Sequence, residues 1–504
     1  MNKNDITILR KRKKKLAKRL ERKQFSEQES PMFTAKNIHY EMSDRIQAID
    51  CGGIGAFHVL ARNCGLIDQI NKDVELLKIH LPYHESDHVL NIAYNVLAGG
   101  TCLDDIKLLR NDETYMNALG ADRIPDPTTA GDFTRRFYDD DVLRLMNTIN
   151  KVRVKMWDRH LSRAECDEAI LDIDGTIAPT TGECKKDMNL SYNGIWGYHP
   201  LLISLANTME PLYLVNRPGN RPSHDGCVPW IDRAVSMVGE SFKKVSLRGD
   251  TDFALTGNFD RWTETGLRFA FGTDARPNLV KIAEKIEGKS WEKLKRRDKN
   301  PCKSGKRRKR PNRVKDQIIE EKQFKKMKLE EEHVAEFYYQ PGKCKKSYRV
   351  VVLRKKISVE QGQLRLWDDI RYFFYITNIE DMTMAEVVYF CNDRCNQENL
   401  IEQLKNGLNA MRMATGTLES NWAYMVMCSL AWTLKAWFAL LVRDREKRDN
   451  ILRMEFKQFL NTIIKIPVQI INTSRKILYR ILGYNHWTHT FLRTFDAIRQ
   501  LRLA

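Results

Sequence analysis

"LDIDGT", residues 171–176, is the stretch on which the fold turns. Apolar Leu171 and Ile173 alternate with Asp172 and Asp174, and the wider run "EAILDIDGT" from Glu168 reads as a buried strand. Side chains two apart on a strand face the same way, so both carboxylates aim at one spot. Working outward, "YHPLLISLANT", "PLYLVNRPGN" and "KKVSLRGDTDF" also read as strands, with "HDGCVPWIDRAVSMVGESF" as a helix between the last two. Strands first, then a helix before the next strand, suit a mixed α/β sheet.

Upstream, from about Ala35 to Arg163, the pattern is helical. "ESDHVLNIAYNVLAGG" carries apolar residues at helical spacing and stops at Gly99-Gly100, and "IPDPTTAGDFTRRF" offers prolines and a Thr128 or Thr129 cap. "HESDH", His84 to His88, matches the zinc-protease string H-E-x-x-H, but no third ligand follows, so it is taken as a surface helix. Downstream, "YRVVVLRKKISV" and "IRYFFYITNI" are strands, and from Asp381 the chain reads as helical to residue 504. "WAYMVMCSLAWTLKAWFALL", Trp422 to Leu441, is long enough for a bilayer. Lys435 inside it and the charged "VRDREKRDN" after it favour a buried helix instead, so no membrane partner is expected.

The 504 residues carry 84 Lys and Arg against 65 Asp and Glu, a net charge of +19 that suits an anionic partner such as nucleic acid. Arg10 to Lys23 has 10 basic residues in 14 and reads as an arm that meets phosphates. "WEKLKRRDKNPCKSGKRRKRPNRVK", residues 291–315, reads as a mobile loop able to touch DNA backbone but not to read sequence. The 11 cysteines form no C-x-x-C pair, which argues against a zinc ribbon or disulfide framework and for a reducing compartment. No secretory pattern is seen at the N-terminus.

Three places carry candidate chemistry: Asp172 with Asp174, Asp250 in "LRGDTDF", and "YFCNDRCNQENLIEQLKNGL" from Tyr389. At 100° per residue, Arg394 and Lys405 fall within about 40° of Glu398, beside a stripe of Leu400, Ile401, Leu404 and Leu408. A helix packed on the sheet could thus aim Glu398 at the strand ends; a solvated Arg–Glu pair is the plainer alternative. Carboxylates from distant segments would repel if they met without a cation. Divalent ions gathering such oxygens about a scissile phosphate make that arrangement tolerable and useful.

Arg394, Glu398 and Lys405 fit R-x3-E-x6-K, the later part of the Y-x2-R-x3-E-x6-K signature of DDE transposases of bacterial insertion sequences. Together with "YHESDHVLNIAYNVLAGGTCLDDIKLLRND", "IPDPTTAGDFTRRF", "LDIDGT", "GYHPLLISLANT", "LVNRPGN", "LRGDTDF" and "FFYITNI", the chain resembles the insertion sequence thirteen-eighty group, related to the insertion sequence four group, over about residues 35–500. The resemblance implies a ribonuclease-H-like α/β catalytic core over 166–255 and 381–445. Around it would lie a basic arm (1–34), an N-terminal helical DNA-binding domain (35–165), a β-rich insertion domain with the basic loop (256–380) and a helical C-terminal region (446–504). It further implies Asp174, Asp250 and Glu398 as catalytic metal ligands, 76 and 148 residues apart, with Arg394 and Lys405 on DNA. Mg²⁺ would be the cofactor, with Mn²⁺ as a substitute. The partners would be double-stranded DNA, as terminal inverted repeats and as target, and a second copy of the chain. Cut-and-paste transposition in a bacterial cytoplasm, at the nucleoid, is the implied role. Cys391 stands at the signature's Tyr position, with Tyr389 two residues earlier, and Asp172 remains an alternative first ligand.

Two rivals stand beside this reading. D-x-D-G-T also resembles the first motif of haloacid-dehalogenase-type phosphatases, with Asp172 as nucleophile and Asp174 as general acid. A DNA-binding derivative that has lost catalysis is the other.

Overall fold

The computed structural model describes residues 3–21, 35, 37–41, 46–296, 322, 325–361 and 364–502. The arm beyond residue 21 up to 34, and the basic loop from 297 to 321, lie outside the described residues. The chain divides into two compact units, Met1–Cys166 with Thr176–Arg221 and Asn399–Ala504, and Asp167–Gly175 with Pro222–Glu398.

The second unit is built on a mixed sheet, as the strand and helix order predicts. Its strands are β1 (Glu168–Gly175), β2 (Lys244–Gly249), β3 (Arg268–Thr273), β4 (Glu292–Lys293), β5 (Lys325–Tyr339), β6 (Tyr348–Gln361) and β7 (Leu364–Thr377). They lie in the order β4-β5-β6-β7-β3-β2-β1. β1, β2 and β3 are parallel, with Asp172 opposite Arg248 and Gly249 opposite Phe271. β7 runs antiparallel to β3 and continues into the long β5-β6-β7 meander.

Helix α1 (Val228–Val238) precedes β2, and α2 (Phe259–Glu264) and α3 (Pro277–Glu284) flank β3. α4 (Met384–Asn392) begins at a Thr383–Glu386 capping box. Its Val387 and Val388 pack with Val334, Val351 and Leu353 of the meander, and Phe390 packs with Ala270 and Ile379. Burying those apolar side chains contributes roughly 2 kcal/mol each. That packing sets the end of α4 beside the parallel strands.

The sequence pattern suggests one continuous helix through Lys405. Instead α4 ends at Asn392, a turn holds Asp393 and Arg394, α5 runs Cys395–Glu402, and Gln403–Gly407 forms a π-turn. Leu400, Ile401, Leu404 and Leu408 are buried, as the stripe predicts.

The first unit is mainly helical. The apolar helix Leu418–Leu440 is buried from Ser420 to Leu440. Its longest polar side chains have partners here. Trp422 and Trp432 donate to the carbonyls of Leu214 and Met209, and Lys435 Nζ donates to Leu452 O at 2.9 Å. Fully buried Glu210 accepts from Arg153 Nε, Trp157 Nε1 and Trp437 Nε1 at 3.0, 2.8 and 2.9 Å. Such a network tolerates the buried charges.

Two expectations fail in this unit. The C-terminal region is not helical throughout, because Val468–Thr473 and Lys476–Ile481 form an antiparallel hairpin. β-branched Val468, Ile470 and Ile477, with the Thr473 to Lys476 turn, fit a pleated surface better than a helix. The "HESDH" helix, Glu85–Ala98, is mostly buried rather than on the surface. His84 is its cap, and His88 stacks on Phe133 with ring centroids 4.3 Å apart.

Candidate active site

β1 carries Asp172 and Asp174 on one face, but their surroundings separate them. Asp172 is 1% exposed, and both its oxygens are held by the guanidinium of Arg248, its register partner on β2. Burial pushes its carboxyl up, and Arg248 opposes that rise. Arg248 also donates to Phe390 O at 2.8 Å and lies over the Phe390 ring. It therefore ties β1, β2 and the end of α4 together.

Asp174 sits two residues on, where the strand ends. Its Oδ1 accepts from Gly175 N at 2.8 Å, and its Oδ2 accepts from Arg394 Nη1 at 2.9 Å. Burial pushes its carboxyl up to about 6, with the charges of Asp250 and Glu398 adding to the rise and Arg394 opposing it.

Asp250 follows the last residue of β2. A Cβ on Gly249 would come within 2.9 Å of Phe253 Cβ and 3.1 Å of Ile173, so the turn needs glycine there. Buried Phe253 pins the turn, and Asp250 Oδ1 caps it by accepting from Asp252 N at 3.0 Å. Asp250 Oδ2 is left 4.0 Å from Arg394 Nη1, and burial raises its carboxyl too.

Glu398, in the first turn of α5, brings Oε1 to 3.6 Å from Arg394 Nη2. Side-chain exposure climbs from 15% at Asp174 through 35% at Asp250 to 59% at Glu398, so the cluster opens to solvent at the glutamate. One guanidinium thus faces three carboxylates delivered by β1, the turn after β2, and α5.

The Arg394 guanidinium is shared among the three carboxylates, and burial, with the charges of Asp250 and Glu398 adding to it, keeps the Asp174 carboxyl raised despite that cation. Three hard oxygen donors with a solvent-facing side fit Mg²⁺ or Mn²⁺ in kind. The family described as Transposase DDE domain group 1 matches residues 49–503.

The chain belongs to the DDE transposase family. Among solved structures, the transposase is similar to a piggyBac transposase in a synaptic complex with hairpin DNA. Identity is 11% and the TM-score 0.35, over 83% of this chain and 82% of that one. No curated protein matches the chain.

Of the remaining residues singled out in the sequence, Lys405 lies in the π-turn of the first unit, half-buried. In the transposase Cys391, at the signature's Tyr position, is packed against Ala270 and Phe390, and burial pushes its thiol up to about 12. Tyr389 donates its hydroxyl to Lys295 O. Sequence reasoning missed Arg248. An arginine within the apolar run "VSLRG" was the available signal, because a charge in a buried strand needs a partner.

Proposed function

We propose that this transposase binds the terminal inverted repeats of its own element, cuts the DNA at the element ends and joins the freed 3′-hydroxyls to target DNA. Asp174, Asp250 and Glu398 are the residues that would hold Mg²⁺, or Mn²⁺ in its place. The observation that carries the reading is the convergence of these three carboxylates, from segments 76 and 148 residues apart, on one guanidinium. Held by these residues, divalent ions would supply Lewis-acid chemistry to the attacking and departing oxygens. Gly175 N and the Asp250 turn hold two of the carboxylates in place. Arg394 and Lys405 are assigned to the phosphates of the cleaved end.

The Asp172–Arg248 pair favours Asp174 over Asp172 as the first ligand. It also weighs against the phosphatase reading, because a nucleophile with both oxygens engaged and 1% exposure cannot reach a phosphate ester. The wider assignment follows the resemblance: the insertion sequence thirteen-eighty group, a ribonuclease-H-like core, action as a homodimer, and a bacterial cytoplasm at the nucleoid.

The test is incubation of purified protein with Mg²⁺ and a duplex carrying the repeats that flank its coding sequence. Cuts at the repeat ends are expected. No cleavage, or cleavage unchanged in Glu398→Gln, would overturn the proposal. Hydrolysis of a phosphomonoester that is lost in Asp172→Asn would favour the phosphatase.

The arm gives a second prediction. Lys3–Leu20 is a helix whose Arg12 donates to the carbonyls of Ile481 and Gly483, leaving a row of exposed Lys and Arg. Deleting residues 1–23 should weaken DNA binding and flatten its salt dependence, by about 0.9 in log–log slope for each phosphate that the arm neutralises. Preference among sequences should barely change. Filter binding across a salt series reads both, and an unaltered slope would show that the arm does not touch DNA.

A further inference from the structure

His80, His84 and Glu85 lie in the first unit, among residues the acidic cluster does not use. Their ligand atoms all fall within 4.8 Å of one another. From these positions we infer a binding site for one transition-metal dication of the Zn²⁺ class.

Glu85 is the anchor. It is 1% exposed, and its Oε1 accepts from the backbone N–H groups of Leu76 and Leu77 at 3.1 and 2.9 Å. Those two donors fix the plane of the carboxylate, as outer-shell bonds do at metal sites. Its buried Oε2 has no aligned hydrogen-bond donor but stands 3.1 Å from His80 Nε2, an ion pair when that imidazole is protonated, and a metal would take the place of that proton. Ligands at Zn–N and Zn–O lengths in a tetrahedron stand about 3.3 Å apart, so this separation matches a coordination edge. The His80 and His84 rings, both exposed, stack with centroids 4.5 Å and planes 22° apart, so His84 must turn out of the stack to aim a ring nitrogen at the same point.

Glu85 and Asp87 place two negative charges on the first turn of the helix, which offsets its positive end for an incoming cation. Two imidazoles and one carboxylate select borderline transition metals over Mg²⁺ or Ca²⁺ and leave a fourth position open to water. This set differs from the H-E-x-x-H reading of the same stretch. His88, the second histidine of that string, is turned inward onto Phe133, and His80 takes its place. A metal here would clip the segment before the helix to its first turn.

The experiment uses the full chain carrying Asp174→Asn, Asp250→Asn and Glu398→Gln, so that the acidic cluster does not bind the probe. Co²⁺ is titrated while its visible d–d bands are followed, and Zn²⁺ is then added to displace it. One equivalent of Co²⁺ should bind, give those bands, and be released by Zn²⁺. His80→Asn and His84→Asn, each confirmed as folded by circular dichroism, should each bind at least ten-fold more weakly. No d–d bands, affinity unchanged in both histidine variants, or a thiolate charge-transfer band showing cysteine ligation would overturn the site.

Discussion

Asp174→Asn is expected to lower end cleavage by at least about 1,000-fold, while the metal-free protein becomes more stable at pH 7.5. The first effect follows from the metal-ligand role proposed for Asp174, since several kcal/mol of charge stabilisation at the transition state is about three decades in rate. The second follows from the pKa. Asp174 titrates at about 6 in the fold, above its ordinary 3.8, so the fold prefers the protonated form. The native state therefore loses stability as pH rises from the ordinary value through about 6, and above that the cost levels off at about 3 kcal/mol. Asparagine carries no charge and escapes it, so the gain in melting temperature should be present at pH 7.5 and fade toward pH 4. Thermal melts in chelator at the two pH values, beside a cleavage assay, check both parts. Wild-type cleavage by Asp174→Asn would remove Asp174 from the proposed chemistry.

Arg248→Met should destabilise the protein by about 3–5 kcal/mol, because it leaves the Asp172 carboxylate buried without its partner. Asp172→Leu with Arg248→Met should recover most of the loss, since replacing a buried pair by apolar side chains of similar size is often neutral. Denaturant unfolding of both singles and the double measures the coupling. Purely additive losses would mean that the pair does not hold the strands. Even the stable double variant should cleave poorly, because Arg248 also bonds Phe390 O, and the end of α4 leads directly into Arg394. The two aspartates of "LDIDGT" would thus fail in opposite ways, Asp172 through folding and Asp174 through chemistry.

Much of the architecture was legible in the chain. Alternating apolar residues marked β1 and the strand before Asp250, and a 3.6-residue period marked the buried stripe after Glu398. The hairpin Val468–Ile481 was missed because "VQIINTSRKILYRI" also spaces its apolar residues as a helix would. The break at Asp393 and Arg394 was missed because no proline or glycine marks it. A continuous wheel through Lys405 therefore failed, though Arg394 and Glu398, four apart, still meet.

By itself the sequence determined which residue types were available: paired acids on a buried strand, an acid after a second strand, and an arginine four residues before a glutamate. It could not choose between Asp172 and Asp174, because a period of two aims both the same way. Tertiary structure gives the two different surroundings through register. Setting Arg248 directly opposite Asp172 filled one carboxylate, and only the strand's end left the other facing Arg394.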